Sequence, residues 1–377
     1  MRLNEIPTPS YVIDEALIEK NCKVLADVIQ KTGCHILLAQ KAFSNYAMYP
    51  LIGQYISGTT ASGLFEAKLG YEEMGKENHV FAPAYKEKDM EELVKICDHI
   101  VFNSLSQLEK YRYVADKVSI GIRVNPECST QKDHAIYDPC VPGSRFGIIA
   151  DDLKNANLDG VEGIHFHTLC EQNSDDLKTT LDVVEDKFGS LLLKMKWVNF
   201  GGGHHITRAD YDVDLLVNCI NHIKNTYDVE VYLEPGEAVA LNAGYLVTTV
   251  LDKVNNGGIT NLILDASAAC HMPDVLEMPY TPPLRDASII KGNEKNRFDY
   301  RLSGNTCLSG DIIGNYRFEK AVEIGDRLIF EDMAIYSMVK NNTFNGIPLP
   351  SVYKMDGKGE CTLIKSFGYE DFKGRLS

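Results

Sequence analysis

Eight short apolar runs alternate with stretches of helical periodicity across the first two thirds of the chain. Each run has the length and apolar content of a buried strand; they lie at 35–39, 55–60, 79–82, 99–103, 118–124, 163–168, 197–200 and 229–233. Between most of them, apolar residues recur at helical spacing, as at 62–74, 88–96, 105–114, 175–196 and 210–226. A helical pattern also covers 11–33. Repeated strand–helix units predict a (β/α)₈ barrel with parallel strands.

From residue 238 onward, the long helical patterns disappear. Short runs typical of strands follow one another between Gly and Asn turns, at 246–254, 259–264, 299–302 and 326–330. A chain of 377 residues is long enough for two domains. We therefore expect an α/β protein with a barrel domain over 11–237 and a mostly-β barrel or sheet domain over 238–377. Pro7 and Pro9 indicate an extended entry segment, and residues 1–10 are expected to join the second domain.

The bulk composition narrows the function classes. A net charge of −15 disfavours nucleic acid and anionic membranes as partners, and it suits a cationic substrate only weakly, since many enzymes are acidic for solubility alone. No apolar leader begins the chain and no apolar run is long enough to span a bilayer, so we expect a cytoplasmic protein. The ten cysteines form no Cys-x-x-Cys pair, which argues against a structural zinc site and a disulfide framework.

Barrels of this type carry their active sites at the C-terminal ends of the strands. The unusual residues that follow the predicted strands are Lys41, Ser62, Arg123, His167, Gly201, Gly202, Gly203 and Glu234. Lys41 ends an apolar strand, where partial burial disfavours the ammonium and lowers its pKa. A free amine in a pocket can form a Schiff base with an aldehyde cofactor. The alternative is a lysine whose stem merely covers apolar surface.

Three consecutive glycines follow the predicted strand at 197–200. Glycine lets backbone N–H groups approach an anion closely, so Gly201, Gly202 and Gly203 fit a phosphate cradle. The alternative is a plain strand-to-loop turn. A further candidate is Glu234, in Glu234-Pro235-Gly236, whose carboxylate could keep a cofactor ring nitrogen protonated. Its alternative is a solvated acid in a Pro-Gly turn.

Two histidines, His165 and His167, end the sixth predicted strand, and the period of two places them on the same side. They are candidates for a metal pair of the kind found in barrel hydrolases, although no further ligand set is evident at the other strand ends. A second hypothesis stacks an imidazole on a flat aromatic cofactor. A hydrogen-bonded core histidine is an adequate interpretation of His165. In the β domain, Cys307 is a candidate proton donor and Tyr336 a candidate phosphate ligand.

Taken in order, these residues resemble those of the fold-type III PLP-dependent decarboxylases, the family of ornithine and diaminopimelate decarboxylases. The resemblance covers nearly the whole chain and implies a fold like that of alanine racemase, with pyridoxal 5′-phosphate (PLP) as cofactor. Lys41, in Gln40-Lys41-Ala42, matches the Schiff-base lysine, and Phe166-His167 matches the histidine that stacks on the ring. Glu234 matches the acid at the pyridine nitrogen.

The same resemblance extends to the phosphate and to a second subunit. It implies that Gly201, Gly202, Gly203 and Tyr336 bind the phosphate. Cys307 matches a catalytic cysteine that enters from the second subunit, so the resemblance implies a homodimer with the active site at the subunit interface. Relatives follow the stacking histidine with a Gly-Ser pair, whereas this chain has Leu169-Cys170-Glu171, so one phosphate contact is expected to be lost or replaced.

One departure bears on the substrate. Diaminopimelate decarboxylases carry an arginine after Glu-Pro-Gly that helps to bind the far carboxylate, and this chain has Glu237. An acid there prefers an amine. Diaminopimelate enzymes also place Glu after the catalytic cysteine, where this chain has Leu308. Asp274 and Asp311 are further candidates for holding distal amines, with Asp274 fixed by no family motif.

These departures resemble the polyamine branch of the family, whose substrates are carboxynorspermidine and carboxyspermidine. The resemblance implies decarboxylation of a cationic, carboxylated polyamine in polyamine biosynthesis; the two substrates differ by one methylene, and nothing in the sequence separates them. The alternatives are decarboxylation of diaminopimelate or ornithine and a racemase of the same fold. The family's racemases set an arginine at the ring nitrogen, so Glu234 argues against a racemase. A metal-dependent hydrolase and a non-catalytic PLP carrier are more distant alternatives.

Overall fold

The computed structural model describes residues 1–131, 135–292 and 296–377. The chain forms two compact units. One, here called the barrel unit, comprises Glu19–Val239, and the other, the sheet unit, comprises Met1–Ile18 together with Ala240–Ser377.

Eight parallel strands close into a barrel in the barrel unit, as the sequence predicts. In chain order they are His35–Ala39, Gly58–Ala61, Glu77–Phe81, His99–Phe102, Ser119–Arg123, Val161–His165, Trp197–Asn199 and Glu230–Leu233. Each pairs with the next, and the first closes the ring on the eighth through His35 and Tyr232. Most residues in these strands are buried, which explains why they read as continuous runs rather than as alternating patterns.

Helices follow most of the strands. Those of the barrel unit are Tyr49–Ile52, Leu64–Leu69 with a π turn at Gly70–Met74, Glu87–Ile96, Leu105–Tyr111, Ala150–Leu153, Ser174–Leu192 and Val213–Tyr227; Glu15–Thr32 and Glu237–Ala240 lie across the unit boundaries. Helix Ser174–Leu192 shows why they form, because Leu177, Leu181, Val184 and Phe188 recur at helical spacing and are buried. Asp212 caps the next helix by accepting a hydrogen bond from the N–H of Leu215.

The only tryptophan, Trp197, fills part of the barrel interior. Gly163 lies on the neighbouring strand and Gly121 on the strand beyond it, and a Cβ atom on either glycine would overlap the indole ring. The indole N–H donates a 2.9 Å hydrogen bond to Ser119 Oγ, so the one polar atom of the side chain is satisfied inside the barrel.

The sheet unit is a nine-stranded, mostly antiparallel sheet. Its strands are Ser10–Asp14, Gly244–Asn256, Ile259–Leu264, Ala287–Ile289, Asp299–Ser303, Ile312–Phe318, Arg327–Glu331, Ser351–Met355 and Cys361–Lys365, with short helices at Ala268–His271, Asp274–Glu277 and Tyr369–Lys373. The long strand Gly244–Asn256 is central, since it pairs with Ser10–Asp14, Ile259–Leu264 and Arg327–Glu331.

The domain boundary differs from the predicted one at the N-terminus. Residues 11–18 were expected in the barrel domain and belong to the sheet unit. The physical reason is strand Ser10–Asp14, which pairs with strands Gly244–Asn256 and Ser351–Met355 before the helix begins at Glu15. Residues 1–10 also belong to the sheet unit, where Ser10 pairs with Val247 and Ser351. Among the described residues, no helix has the length and apolar content that crossing a membrane requires.

Candidate active site

A cavity of about 630 Å³ lies at the C-terminal ends of the barrel strands. Its wall includes the last residues of several strands, among them Ala39, Ala61, Phe81 and Arg123. Most of the residues that the sequence singles out at strand ends also line it: Lys41, Ser62, Arg123, His167, Gly202 and Glu234. The barrel therefore brings together side chains that are far apart in the sequence.

Lys41 is accessible to water from within this cavity, while protein atoms crowd its surroundings. Burial is the main cause that lowers the pKa of Lys41; Glu234 opposes the shift and Arg123 adds to it. No hydrogen bond or ion pair holds its Nζ atom within the described part of the chain. The amine is thus available for a covalent partner.

Glu234 is the most tightly held acid of the cavity. Its Oε1 accepts hydrogen bonds from Thr60 Oγ1 at 3.0 Å and from Asn199 Nδ2 at 2.8 Å, and its Oε2 lies 3.1 Å from His165 Nε2. Burial alone raises the pKa of this carboxyl, but the charge and hydrogen bond of His165 and the amide of Asn199 outweigh it and lower the pKa to about 2. Glu234 is therefore a carboxylate at neutral pH.

His165 lies in a column of flat groups. Its ring stacks on Phe81 at 5.4 Å between centroids, and Arg123 lies between Phe81 and Phe146, 4.6 and 4.5 Å from their rings. Arg123 also donates a 3.0 Å hydrogen bond to the carbonyl oxygen of His167. These contacts fix the orientation of the His165 ring, so that it can form its hydrogen bond with Glu234 in the core.

His167 has a defined protonation state. The backbone N–H of Gly202 donates a 2.6 Å hydrogen bond to its Nδ1 atom, so Nδ1 carries no proton and the neutral ring carries it on Nε2. Burial, followed by the charges of Lys41 and Arg123, holds the pKa of His167 well below its usual range. A neutral imidazole facing the cavity suits stacking on a flat ring. Engagement of Nδ1 leaves the His165–His167 pair poorly placed for the metal site considered above.

The loop formed by Gly201, Gly202 and Gly203, here called the glycine loop, provides room for a ligand more than free hydrogen-bond donors. Gly201 and Gly203 have φ of +70° and +82°, and a Cβ atom on Gly202 would lie 2.5 Å from the carbonyl oxygen of Glu234. The N–H of Gly201 donates to Asn199 Oδ1 and that of Gly202 to His167, so two of the three amides are already engaged. A close approach of backbone to ligand is what the three glycines permit.

Together these groups fit PLP. A Schiff base requires an unpaired amine, a protonated pyridine requires an ionised carboxylate, and a phosphate requires room against the backbone. Lys41, Glu234 and the glycine loop meet these three requirements in one cavity.

Glu237 follows Glu234 by three residues in the chain, but it is not among the residues that line the cavity. Its Oε2 is 2.8 Å from His205 Nε2, and both side chains are about nine-tenths buried. The acid expected to recognise an amine thus already has one hydrogen-bond partner.

The other predicted site residues lie in the sheet unit. Cys307 is exposed, and its backbone N–H donates a 2.8 Å hydrogen bond to Asn345 Oδ1. Tyr336 has φ of +46°, a left-handed backbone conformation that residues other than glycine rarely adopt. Residues in such conformations cluster at functional sites.

Two acids expected to bind substrate are engaged within the sheet unit. Asp274 forms an ion pair with Lys340, which also pairs with Glu277. Asp311 is buried and accepts hydrogen bonds from Ser267, Thr306 and the N–H of Ala269. These contacts leave less capacity for a substrate amine than the sequence alone indicates.

Sequence reasoning missed the groups that hold Glu234. Thr60 and Asn199 are polar residues near the C-terminal ends of the second and seventh strands, and that position was the available signal. It was easy to overlook, because polar residues at strand ends are common.

The comparisons with known proteins agree with this geometry. A family model described as pyridoxal-dependent decarboxylase, C-terminal sheet domain, matches residues 10–334. The chain belongs to the pyridoxal-dependent decarboxylases. Two relatives of this family are a carboxynorspermidine/carboxyspermidine decarboxylase of Campylobacter jejuni, 45% identical over 100% of both chains, and a carboxyaminopropylagmatine decarboxylase of Synechocystis, 39% identical over 100% of this chain and 97% of the relative.

Among solved structures of pyridoxal-dependent decarboxylases, this chain is similar to carboxynorspermidine decarboxylase from Campylobacter jejuni complexed with norspermidine. The TM-score is 0.92 and the identity 44%, over 98% of this chain and 100% of that one. The predicted fold, cofactor and reaction class are thus confirmed. The relatives are decarboxylases, so the racemase, the metal-dependent hydrolase and the non-catalytic carrier are set aside.

Proposed function

We propose that this decarboxylase converts carboxynorspermidine or carboxyspermidine into norspermidine or spermidine. The observation that carries the proposal is 45% identity over the full length of the Campylobacter jejuni enzyme of that name. Glu237 supports it, because an acid in place of the expected arginine favours a substrate that ends in an amine.

Bound PLP supplies an electron sink for the electron pair of the bond between Cα and the departing carboxylate. Lys41 would provide the amine that holds the aldehyde carbon, and burial favours this role because it lowers the pKa of the amine. Glu234 holds a proton on the ring nitrogen, since a carboxylate only accepts hydrogen bonds and therefore pairs with an N–H. The neutral ring of His167 would lie against the flat ring of the cofactor.

Gly201, Gly202 and Gly203 would hold the phosphate in this proposal, and the Tyr336 hydroxyl would be a further donor. The strained backbone of Tyr336 supports a functional role for that residue. Leu169-Cys170-Glu171 replaces the expected Gly-Ser pair, so the glycine loop and Tyr336 carry more of the phosphate binding than in relatives.

Glu237 is the proposed primary anchor for a distal amine, oriented by His205. Asp274 and Asp311 add negative charge, but Lys340 neutralises the first and three hydrogen bonds occupy the second. We therefore rank them below Glu237 as substrate ligands.

Cys307 is the proposed donor of the proton that replaces the carboxylate at Cα. Its exposure, beside exposed Leu308 and near exposed Phe344, supports a role in a homodimer whose active site takes Cys307 from the second subunit. We also propose that the protein acts in the cytoplasm.

The cofactor assignment has a direct test. Borohydride reduction of purified protein should add the mass of reduced PLP to the peptide that contains Lys41, and Lys41→Ala should lose both this adduct and the visible absorption. Cofactor mass on a different peptide, or on none, would contradict the proposal.

The substrate is tested by measuring kcat/KM for CO₂ release from carboxynorspermidine, carboxyspermidine, carboxyaminopropylagmatine, diaminopimelate and ornithine. We expect at least about 100-fold preference for the first two over diaminopimelate, because a buried acid facing a carboxylate costs several kcal/mol. Carboxyaminopropylagmatine is the second candidate, given the 39% identical relative. A higher kcat/KM for that compound would transfer the assignment to it.

A further inference from the structure

The barrel unit contains a second polar cluster, at the N-terminal ends of the third and fourth barrel strands. Its members are Glu77 and His79 from Glu77–Phe81 and His99 from His99–Phe102. Phe81, at the other end of the third strand, lines the cavity. The cluster therefore lies at the opposite end of the strands from Lys41 and Glu234.

The pleat of two neighbouring strands brings these side chains together. Glu77 and His79 are two residues apart and so project from the same face of their strand. His79 and His99 are register partners across the parallel pair. Their rings stack at 4.0 Å between centroids with 25° between planes, and one donor atom from each of the three residues lies within 4.8 Å of the others.

Two nitrogen atoms of this cluster are buried without a hydrogen-bond partner among the described residues. They are Nδ1 of His79 and Nδ1 of His99. Buried polar groups in folded proteins are nearly always paired, so each such atom calls for an explanation such as a ligand. The residue His79 is only 1% exposed, so bulk water does not supply the partner.

The surroundings hold the three groups in place and leave a route to solvent. Trp197 stacks on His99 at 4.7 Å, and Tyr232 lies against His79 at 4.9 Å. His35 Nδ1 lies 3.3 Å from Glu77 Oε2, an outer contact of the kind that orients metal-binding carboxylates. The side chains of His35 and Glu77 are 33% and 21% exposed, so an ion can enter from this end.

We propose that Glu77, His79 and His99 bind one Zn²⁺ ion, with water in the remaining position. The ion would replace the 2.9 Å hydrogen bond that now joins His79 Nε2 to Glu77 Oε1. Two imidazoles and one carboxylate form a known donor set for zinc. The nitrogen donors disfavour Mg²⁺ and Ca²⁺, which prefer oxygen, and among divalent transition metals the order of affinity lets Cu²⁺ compete. The ion would join two barrel strands, far from the decarboxylation chemistry.

The structure also offers a rival cluster, formed by Glu171, His205 and Glu237. It has one imidazole and two carboxylates, whereas the proposed site has two imidazoles and one carboxylate. That difference makes the two sites distinguishable by spectroscopy and by mutation.

The test uses the PLP-loaded protein after treatment with a chelator. Zn²⁺ is titrated in competition with a chromophoric chelator into wild type, His99→Gln and His205→Gln, with cofactor absorption and circular dichroism as folding checks. We expect one equivalent in wild type and an affinity reduced more than about 100-fold in His99→Gln, because losing a direct ligand should cost more than the loss of an outer-shell partner. His205→Gln should bind zinc as wild type does, because His205 belongs to the rival cluster. Equal binding by His99→Gln and wild type would overturn the proposal.

A second measurement avoids any folding defect of the variants. X-ray absorption at the zinc edge of wild-type protein loaded with one equivalent should show two imidazoles and no sulfur. One imidazole would assign the ion to the rival cluster, and a sulfur ligand would assign it to a cysteine; either result would overturn the proposal.

Discussion

His165 Nε2 lies 3.1 Å from Glu234 Oε2, and both side chains are buried in the barrel unit. A carboxylate only accepts, so His165 donates this bond. Oε1 of Glu234 accepts from Thr60 and Asn199 on two other strands. Three donors on three strands thus keep one acid ionised in a place where burial alone would favour its neutral form.

Glu234→Gln should remove the proposed partner of the ring nitrogen with almost no change in shape. We expect kcat to fall by about 10²–10⁴-fold, the range associated with positioned proton-transfer groups, while PLP stays bound through Lys41. Steady-state kinetics and the visible absorption of the cofactor measure the two effects.

The matched control is Glu230→Gln, at the exposed start of the strand that Glu234 follows. Its kcat should stay within about twofold of wild type, because surface substitutions away from the site have small effects. Unchanged turnover in Glu234→Gln would remove Glu234 from the proton-holding role.

Ionised Glu234 should contribute to the stability of the folded protein, and this contribution should be lost at acidic pH. The pKa falls from 4.5 to about 2 on folding, so ionisation contributes to stability fully above pH 4.5, and the contribution is lost as pH falls toward 2. The difference in free energy of unfolding between wild type and Glu234→Gln should therefore shrink from pH 5 to pH 3. Denaturant unfolding at the two pH values measures it; a difference that grows on acidification would contradict the carboxylate assignment.

Gly202→Ala should weaken cofactor binding. The new Cβ atom would lie 2.5 Å from the carbonyl oxygen of Glu234, so the loop must move away from the position it holds now. Overpacking of this kind costs about 1–3 kcal/mol, and we expect the Kd for PLP to rise about tenfold or more. The control is Gly357→Ala, since no atom lies within 4 Å of a Cβ there. Equal PLP affinity in Gly202→Ala and wild type would argue against the phosphate cradle.

The barrel was predictable because its strands are buried on both faces. The run at 35–39 became strand His35–Ala39 without a change of bounds, and the other seven strands were located within a few residues. Strands Ser10–Asp14 and Ile312–Phe318 were missed for physical reasons. The first leads directly into an amphipathic helix, whose pattern hides the start of the strand. In the second, exposed Asn315 and half-buried Arg317 interrupt the buried residues, which leaves no continuous apolar run.

The sequence indicated which residues meet in the cavity better than it indicated their contacts. Lys41, His167 and Glu234 carry chemistry that the sequence and the family resemblance both indicate, and the barrel brings them to one cavity. The partners of Glu234 were not found, since Thr60 lies 174 residues away in the chain and no local spacing connects them. Pairing of Asp274 with Lys340 likewise depends on tertiary packing.

Substitution of the two acids proposed to bind substrate should distinguish the contribution of Glu237 from that of Asp274. Glu237→Gln keeps the shape and the contact with His205 but loses the charge. A hydrogen bond to a charged group contributes about 1.5–3 kcal/mol, so KM for the carboxylated polyamines should rise about 10–100-fold. In Asp274→Asn, the charge removed is already paired with Lys340, and we expect KM to change by less than about threefold. The reverse order of effects would assign amine recognition to Asp274.

Exposed Cys307 leads to a prediction about subunit assembly. If it acts on the active site of a second subunit, Cys307→Ala and Lys41→Ala should each be inactive or strongly impaired, because each homodimer lacks one necessary group at both sites. Unfolding and refolding the two variants together should produce mixed dimers in which one site has both Lys41 and Cys307, and random pairing restores about a quarter of wild-type activity. CO₂ release before and after mixing measures the restoration, with each variant refolded alone as the control. No restoration, together with normal dimer formation in sedimentation, would show that Cys307 does not act across subunits.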